Sequence, residues 1–291
     1  MRKRLIECVA NFSEGRDQAV IQAIVDAVEA DGQAWVLHTT SDADHHRSVV
    51  TFVGAPESVV AAAARAVAVA VERIDLRRHE GVHPRIGAAD VIPLVPIEDI
   101  TLDECADLAH GLGEDIWRTT GVPVYFYEAA ALRRERVRLE VVRKGGLAPD
   151  IGGPELHPTA GAVIIGARKI LIAWNVNLAT RDLSVARSIA RSIRASSGGF
   201  PHVKALGLPL LSRGQVQVSM NLTDFDATPM HVVFEAIRSR AHDAGVRIAG
   251  TEIIGLLPSA ALERAAEAFF QFENFTAETV LETRLRSIGG R

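Results

Sequence analysis

Two histidines with a carboxylate between them are the residues best suited to acid–base or metal chemistry. His79, Glu80 and His83 match the HExxH pattern of zinc peptidases, in which both histidines share one helical face. Gly81 lowers helix propensity and Pro84 disfavours helical backbone at His83, so we expect no intact helix there. A zinc hydrolase is therefore the weaker hypothesis. We favour a loop histidine, His83, as general acid and base, with a purely structural helix-end histidine as the alternative.

A second polar cluster lies between two expected strands. It contains two aspartates, two histidines and an arginine: Asp42, Asp44, His45, His46 and Arg47. No cysteine or carbonyl-rich segment accompanies it, so a specific metal site is not indicated. The cluster is either a plain turn or part of a binding site, for which Asp42 and Arg47 are the candidates.

Three further regions combine polar side chains or glycines with apolar surroundings. Asn175 and Asn221 lie within apolar, strand-like runs, where a polar side chain either caps a loop or faces a ligand. Arg168 stands beside another apolar run and could meet a carboxylate. Residues 145–161 carry five glycines and three prolines. This segment is either a flexible crossover or a loop that approaches a ligand closely.

The elements that must position these residues follow the same order twice. The first series has strands at 5–9, 34–39, 48–53 and 90–95 with helices at 18–30 and 57–76, followed by a helix at 102–119, a strand at 122–127 and an arginine-rich helix at 129–144. A strand at 162–165 precedes the second series, which has strands at 170–175, 203–208, 215–221 and 247–254 with helices at 183–195 and 230–244. Both contain βαββαβ. We predict an α+β protein of two ferredoxin-like subdomains, residues 1–169 and 170–291, with helices packed on mixed sheets.

Composition excludes several functional classes. The 291 residues have a formal net charge of −4, which does not favour nucleic acid as a partner. The two cysteines form no framework, and we find neither a dinucleotide-binding nor a P-loop glycine pattern. The longest apolar run, 59–71, is too short to span a bilayer and contains Arg65. We expect a cytoplasmic protein without disulfides, nucleotide cofactor or membrane association.

Eight ordered segments resemble the glutamate formimidoyltransferase family, the formiminotransferase part of formiminotransferase–cyclodeaminase. They are LIECVANFSEGR (5–16), RSVVTFVG (47–54), HEGVHPRIGAADVIPLVP (79–96), GVPVYFY (121–127), PDIGGP (149–154), GARKILIAWNVNL (166–178), QVSMNLTDFDATPMHVVFE (217–235) and GTEIIGLLP (250–258). The likeness covers nearly the whole chain. His46 stands where the family commonly has asparagine, and Ala160 where the animal enzymes have an aromatic residue.

The resemblance implies a homodimer whose two ferredoxin-like halves hold a folate in a cleft between them. It implies that His83 is the catalytic acid–base. The folate-binding stretch of the family falls on Gly152, Gly153, Pro154, Glu155, Leu156, His157, Pro158, Thr159, Ala160 and Gly161. Arg47, Arg85 and Arg168 are candidates for binding the carboxylates of glutamate and folate.

The implied reaction transfers a formimino group from N-formimino-L-glutamate to N5 of tetrahydrofolate, late in histidine degradation, with no metal. The family's cyclodeaminase part has no counterpart here, so a separate cyclodeaminase is the expected partner. Three alternatives stay open: formyl transfer between 5-formyltetrahydrofolate and glutamate, folate binding without turnover, and the zinc hydrolase.

Overall fold

A computed structural model describes residues 4–43, 45–79, 85–273 and 275–289. The chain divides into two compact units, Met1–Lys169 and Ile170–Arg291. Their strands are Leu5–Phe12 (β1), Ala34–Asp42 (β2), Arg47–Gly54 (β3), Ala89–Glu98 (β4), Val124–Glu128 (β5), Val163–Ala167 (β6), Ile172–Leu178 (β7), Val203–Leu210 (β8), Gln215–Leu222 (β9) and Ile248–Ile254 (β10). The α-helices are Gln18–Glu29 (α1), Pro56–Arg73 (α2), Leu102–Thr120 (α3), Leu139–Val142 (α4), Leu183–Ile193 (α5), Met230–Asp243 (α6), Ser259–Phe270 (α7) and Leu281–Gly289 (α8).

The first unit is built on a six-stranded mixed sheet in the order β2-β3-β1-β4-β6-β5. β1 pairs antiparallel with β3 and β4, while β6 lies parallel to both β4 and β5. All five residues of β6 are buried, as expected for a parallel strand inside a sheet. β1, α1, β2, β3, α2 and β4 form the expected βαββαβ series, and β5 and β6 complete this unit's sheet.

Helices α1, α2 and α3 cover one face of this sheet. Alternate residues of β1, including Cys8 and Phe12, join residues from these helices in one buried apolar cluster. Local signals fix where the helices begin: Asp17 caps α1 and Thr101 forms a capping box with Glu104 at α3. The other residues of β1, among them Asn11, belong to the opposite face.

The second unit is a four-stranded antiparallel sheet in the order β10-β7-β9-β8. β7 lies between β10 and β9, which confirms the central position expected from its apolar sequence. One face of the sheet and helices α5 and α6 form a buried apolar core, and Ala261 of α7 joins that core. The βαββαβ order of this unit also confirms the predicted α+β class.

Two expectations were wrong in detail. The arginine-rich segment 129–144 is not one helix, because residues 134–136 form a 3-10 turn and α4 covers only four residues. Arg136 explains this, since its side chain is 1% exposed and pairs with Asp150 instead of facing solvent from a helix. Helices α7 and α8 follow β10, where we predicted no further element.

No helix in the described part of the chain is both long enough and apolar enough to cross a membrane.

Candidate active site

A buried polar network lies at the end of the first sheet, around Arg47 at the start of β3. Its Nη2 donates to Oδ1 of Asn11 on β1. Asp90 is also buried, accepts from the Ile86 N–H (2.9 Å) and pairs with Arg143. Burial lowers the pKa of Arg47 to about 10, against the attraction of Asp90 and with repulsion from other arginines. The network therefore concentrates positive charge around one buried carboxylate.

Glu14 follows β1 and presents a carboxylate to the backbone of the next three residues. Its Oε1 accepts from the N–H groups of Gly15 (2.9 Å), Arg16 (2.8 Å) and Asp17 (3.0 Å). Burial opposes the charge, but these backbone bonds and the neighbouring histidines lower the pKa of Glu14 to about 2. Glu14 is thus a buried anion held by the turn that leads into α1.

Two histidines converge on this carboxylate from separate segments. Nε2 of His46 lies 2.9 Å from Oε1, and Nε2 of His79 lies 3.1 Å from Oε2. The two rings stack, with centroids 4.2 Å apart and planes 3° from parallel. His46 has left-handed backbone (φ 50°), and burial lowers its pKa against the opposing effect of Glu14. One carboxylate therefore orients two imidazoles.

Glycine at position 15 makes this convergence possible. A Cβ there would lie 2.2 Å from the Asp42 carbonyl oxygen and 2.5 Å from the Arg47 nitrogen. The turn after β1 therefore packs directly on the backbone of the β2–β3 hairpin, which carries His46.

The end of the glycine-rich segment 145–161 forms backbone hydrogen bonds to residues on both sides of the segment that contains His83. Three backbone bonds tie them: Leu76 N–H to the Thr159 carbonyl (2.8 Å), Ala88 N–H to the Ala160 carbonyl (2.9 Å) and Ala162 N–H to the Ile86 carbonyl (3.0 Å). Gly161 has φ 69°, and a Cβ there would meet the Ile86 carbonyl oxygen at 2.1 Å. Nδ1 of His157 accepts from the Ala160 N–H at 3.0 Å, which tightens the turn. This part of the loop is a fixed structure.

Arg85 links the His83 segment to the β2–β3 hairpin. Its Nη2 donates to the His45 carbonyl (3.0 Å) and its Nη1 lies 3.4 Å from the His46 carbonyl. Both Arg85 and Arg47 are partly exposed, but the surroundings of Arg85 are less enclosed than those of Arg47. A partly exposed guanidinium beside a buried cationic network is suited to binding carboxylates.

Comparison with known proteins identifies the family. A model of the formiminotransferase domain, N-terminal subdomain, matches residues 5–168, and a model of the formiminotransferase domain matches residues 173–287. The chain belongs to the formiminotransferase family. It is 42% identical to a glutamate formimidoyltransferase of Streptococcus pyogenes serotype M1, over 97% of this chain and 99% of that one. A glutamate formimidoyltransferase of Thermoplasma acidophilum is 40% identical, over 97% of each chain. The formimidoyltransferase-cyclodeaminase of Sus scrofa is 39% identical, over 93% of this chain and 53% of that one.

In this formiminotransferase chain, several predicted residues lie close together. The 157–161 turn contacts residues on both sides of the His83 segment, and Arg85 stands at one end of it. Arg47 is near enough to Arg85 and Asp90 for their charges to act on it. Asp42 lies opposite Arg47 in the antiparallel register of β2 and β3. Its carboxylate hydrogen bonds to the backbone N–H and the side chain of His45, both at 2.8 Å. Residues 152–156 are exposed.

Other predicted residues lie elsewhere or outside the described chain. His83 falls within residues 80–84, outside the described residues, whereas His79 has extended backbone (φ −100°, ψ 116°) instead of the helix that HExxH zinc binding needs. Arg168 follows β6, where it acts on Glu7 and Tyr127. Asn175 and Asn221 belong to the second unit, on the sheet face opposite its apolar core.

Sequence reasoning missed Glu14, Asn11, Asp90 and Arg143 as members of the site. Glu14 does carry a local signal, since a glutamate and glycine stand between a strand and the Asp17 helix cap. Asp90 and Arg143 are 53 residues apart, and their pairing follows only from the fold.

Proposed function

We propose that this protein is a glutamate formimidoyltransferase, which moves a formimino group from N-formimino-L-glutamate to N5 of tetrahydrofolate. The products are 5-formiminotetrahydrofolate and glutamate. The observation that carries the proposal is the 42% identity with a protein of that name over 97% of this chain and 99% of the other. The models of both subdomains of the family match this chain, in the family's order. This supports assigning the complete activity to the chain, because neither subdomain is missing.

The geometry of the first unit fits the charge of the substrates. Formiminoglutamate carries two carboxylates, and the folate tail carries more. Arg85 lies at one end of the His83 segment and Arg47 and Arg143 lie near Asp90, and the buried carboxylates of Asp90 and Glu14 offset these three arginines only in part. Arg85, as the more exposed cation, is the better candidate for a direct carboxylate contact.

His83 is the acid–base of the proposed mechanism. N5 attacks the amidine-like carbon, forming a tetrahedral intermediate, and His83 accepts the N5 proton. The same imidazole then donates that proton to the glutamate nitrogen as the carbon–nitrogen bond breaks. One histidine serves both steps, so the reaction needs accurate positioning above all.

A donor-exchange assay tests the activity. Purified protein is incubated with tetrahydrofolate and formiminoglutamate, and separately with 5-formyltetrahydrofolate and glutamate, while folate absorbance is followed. We expect rapid formation of 5-formiminotetrahydrofolate in the first reaction. Turnover only in the second would replace the proposal with formyl transfer, and folate binding without turnover in either would overturn it.

His83→Ala tests the assigned acid–base. We expect turnover to fall by about two to four orders of magnitude with folding and folate binding retained, because only proton transfer is lost. His242→Ala, at an exposed position on α6, is the matched control and should leave turnover unchanged. Full activity of the His83 variant would remove this residue from the mechanism.

Arg85→Ala tests carboxylate binding. We expect a Michaelis constant for formiminoglutamate raised roughly tenfold or more, because one charge-assisted contact is lost. Arg118→Ala removes an arginine that pairs with Asp115 on the exposed side of α3, and it should not change the constant. An unchanged constant in Arg85→Ala would argue against the contact.

A further inference from the structure

One group of potential metal ligands is present among the described residues. It consists of Glu14, His46 and His79, whose ligand atoms lie within 4.8 Å of one another. Glu14 and His46 are only 5% and 6% exposed, and His79 is partly buried. We propose that these three side chains bind one divalent transition-metal ion of the zinc type, through Nε2 of both histidines and a carboxylate oxygen of Glu14. Metal binding by this group does not require the proposed transfer reaction, although the group lies beside the His83 segment.

The donor set determines the class of metal. Two imidazole nitrogens and one carboxylate oxygen suit Zn²⁺ and its neighbours Co²⁺ and Ni²⁺, whereas Mg²⁺ and Ca²⁺ prefer oxygen ligands alone. Ligand atoms that are each about 2.1 Å from a zinc ion lie roughly 3 to 3.5 Å apart. The Nε2 atoms of His46 and His79 lie 2.9 and 3.1 Å from different oxygens of Glu14, and the three ligand atoms lie within 4.8 Å of one another, so modest side-chain movements bring them to that spacing. Three protein ligands leave at least one position for water.

Glu14 is fixed in place before any metal binds. Three consecutive backbone N–H groups hold Oε1 at 2.8 to 3.0 Å. Oε2 faces His79 and keeps lone pairs for a further ligand. The carboxylate is charged and immobile, so little conformational entropy is lost when it coordinates a metal.

His79 has the second interaction that metal-binding histidines commonly show. Its Nδ1 lies 3.0 Å from the Asp75 carbonyl oxygen. A carbonyl can only accept, so Nδ1 carries a proton, and Nε2 is the nitrogen left for a metal, which would replace the hydrogen bond between Nε2 and Glu14. A hydrogen bond of this kind fixes the ring orientation and strengthens the ligand.

His46 completes the group from the neighbouring hairpin. Its ring is parallel to that of His79, and the Nε2 atoms of both rings lie beside the Glu14 carboxylate. For both lone pairs to meet one ion, the rings must tilt out of the stack. We therefore expect metal binding to separate the two rings, a change that costs part of the binding energy.

Nearby positive charge limits the affinity. Arg85 donates to the carbonyls of His45 and His46, and its guanidinium acts on Glu14. Repulsion from this cation and the cost of tilting the rings lead us to expect a micromolar dissociation constant, weaker than the constants of structural zinc sites.

Titration of the whole protein with Co²⁺ tests the site. Bound metal is first removed with EDTA, and the EDTA is then removed. We expect one Co²⁺ per chain, with visible absorption typical of nitrogen and oxygen ligands, and Zn²⁺ competing for the same site. Zn²⁺ should also raise the melting temperature, because a ligand that binds only the folded state stabilises it. Neither signal depends on transferase activity, so failure of the proposed function leaves this test intact.

Adjacent histidines provide matched variants. His46→Asn removes a ligand and should weaken Co²⁺ binding at least about tenfold and abolish the zinc-induced shift. His45→Asn changes the next residue, which is exposed and bound to Asp42, and should leave both signals unchanged. Each metal-free variant is first checked for wild-type circular dichroism. The proposal would be overturned if the wild type did not bind Co²⁺ stoichiometrically, or if His46→Asn and His45→Asn weakened Co²⁺ binding equally.

Discussion

Two glutamates at the two ends of β1 show opposite electrostatic behaviour. Glu7, within the strand, has its pKa raised because burial outweighs the attraction of Arg168. Glu14, just beyond the strand, is also buried, yet backbone N–H groups and two histidines hold its pKa at about 2. The supply of hydrogen-bond donors, and not the depth of burial alone, decides whether a buried carboxylate stays charged.

The difference follows from where each residue lies in the fold. Glu7 faces backbone groups already engaged in the sheet, since its strand pairs on both sides with Val53 and Val95. Glu14 occupies the turn before α1, where backbone N–H groups are unpaired until a side chain accepts them. A charged carboxylate is therefore stable at the end of the strand, beside the predicted catalytic segment.

Gly15→Ala should break the environment of Glu14 and have the largest effect. Its Cβ would clash with the backbone of Asp42 and Arg47, which cannot move as a flexible side chain could. We expect the free energy of unfolding to fall by about 3 kcal/mol, measured by urea denaturation. Gly111→Ala on α3 is the control. With no atom within 4 Å of its added Cβ, it should be neutral or stabilise by up to about 1 kcal/mol. Equal stabilities would mean that the turn relaxes freely.

Glu14→Gln should have the next largest effect. The amide keeps the shape but loses the charge that accepts three backbone bonds and orients both histidines. We expect the free energy of unfolding, measured with EDTA present, to fall by about 2 kcal/mol. Glu29→Gln is the control, because Glu29 is an exposed glutamate that accepts a hydrogen bond from the Val36 N–H. It should change stability by less than about 0.5 kcal/mol. A similar loss in both variants would remove the special status of Glu14.

The contrast between local and distant contacts also explains what the sequence could predict. The periodicity and end signals of α3 predict residues 102–119, and the structure has Leu102–Thr120. The repeated βαββαβ order was readable for the same reason, since each element carries its own pattern. The predicted helix at 129–144 failed because Arg136 is buried against Asp150, a tertiary contact that overrides helix propensity.

Candidate site residues could be recognised in the sequence only where a charged or polar side chain stood in an unusual local segment. Arg47 and Arg85 became candidates because they are cations within polar segments. The group of Glu14, His46 and His79 was not, because its members are 32 and 65 residues from Glu14 along the chain. Their convergence depends on the pairing of β1 with β3 and on the close approach at Gly15, neither of which any short pattern encodes.

Glu7→Gln should have the smallest effect, and it should be opposite in sign to that of Glu14→Gln at neutral pH. A carboxyl whose folded pKa is raised above its ordinary value of 4.5 holds its proton longer in the folded state than in the unfolded state. Below that value both states are protonated and the variant should match the wild type. As pH rises through the raised pKa, the wild type must ionise a partly buried group, and its stability falls.

We therefore expect Glu7→Gln to be more stable at pH 7.5 by up to about 1 kcal/mol, with a smaller gain at pH 5. Thermal unfolding at both pH values measures this. Lower stability of the variant at pH 7.5 would mean that attraction to Arg168 outweighs burial, so that both glutamates behave as charge-stabilised groups.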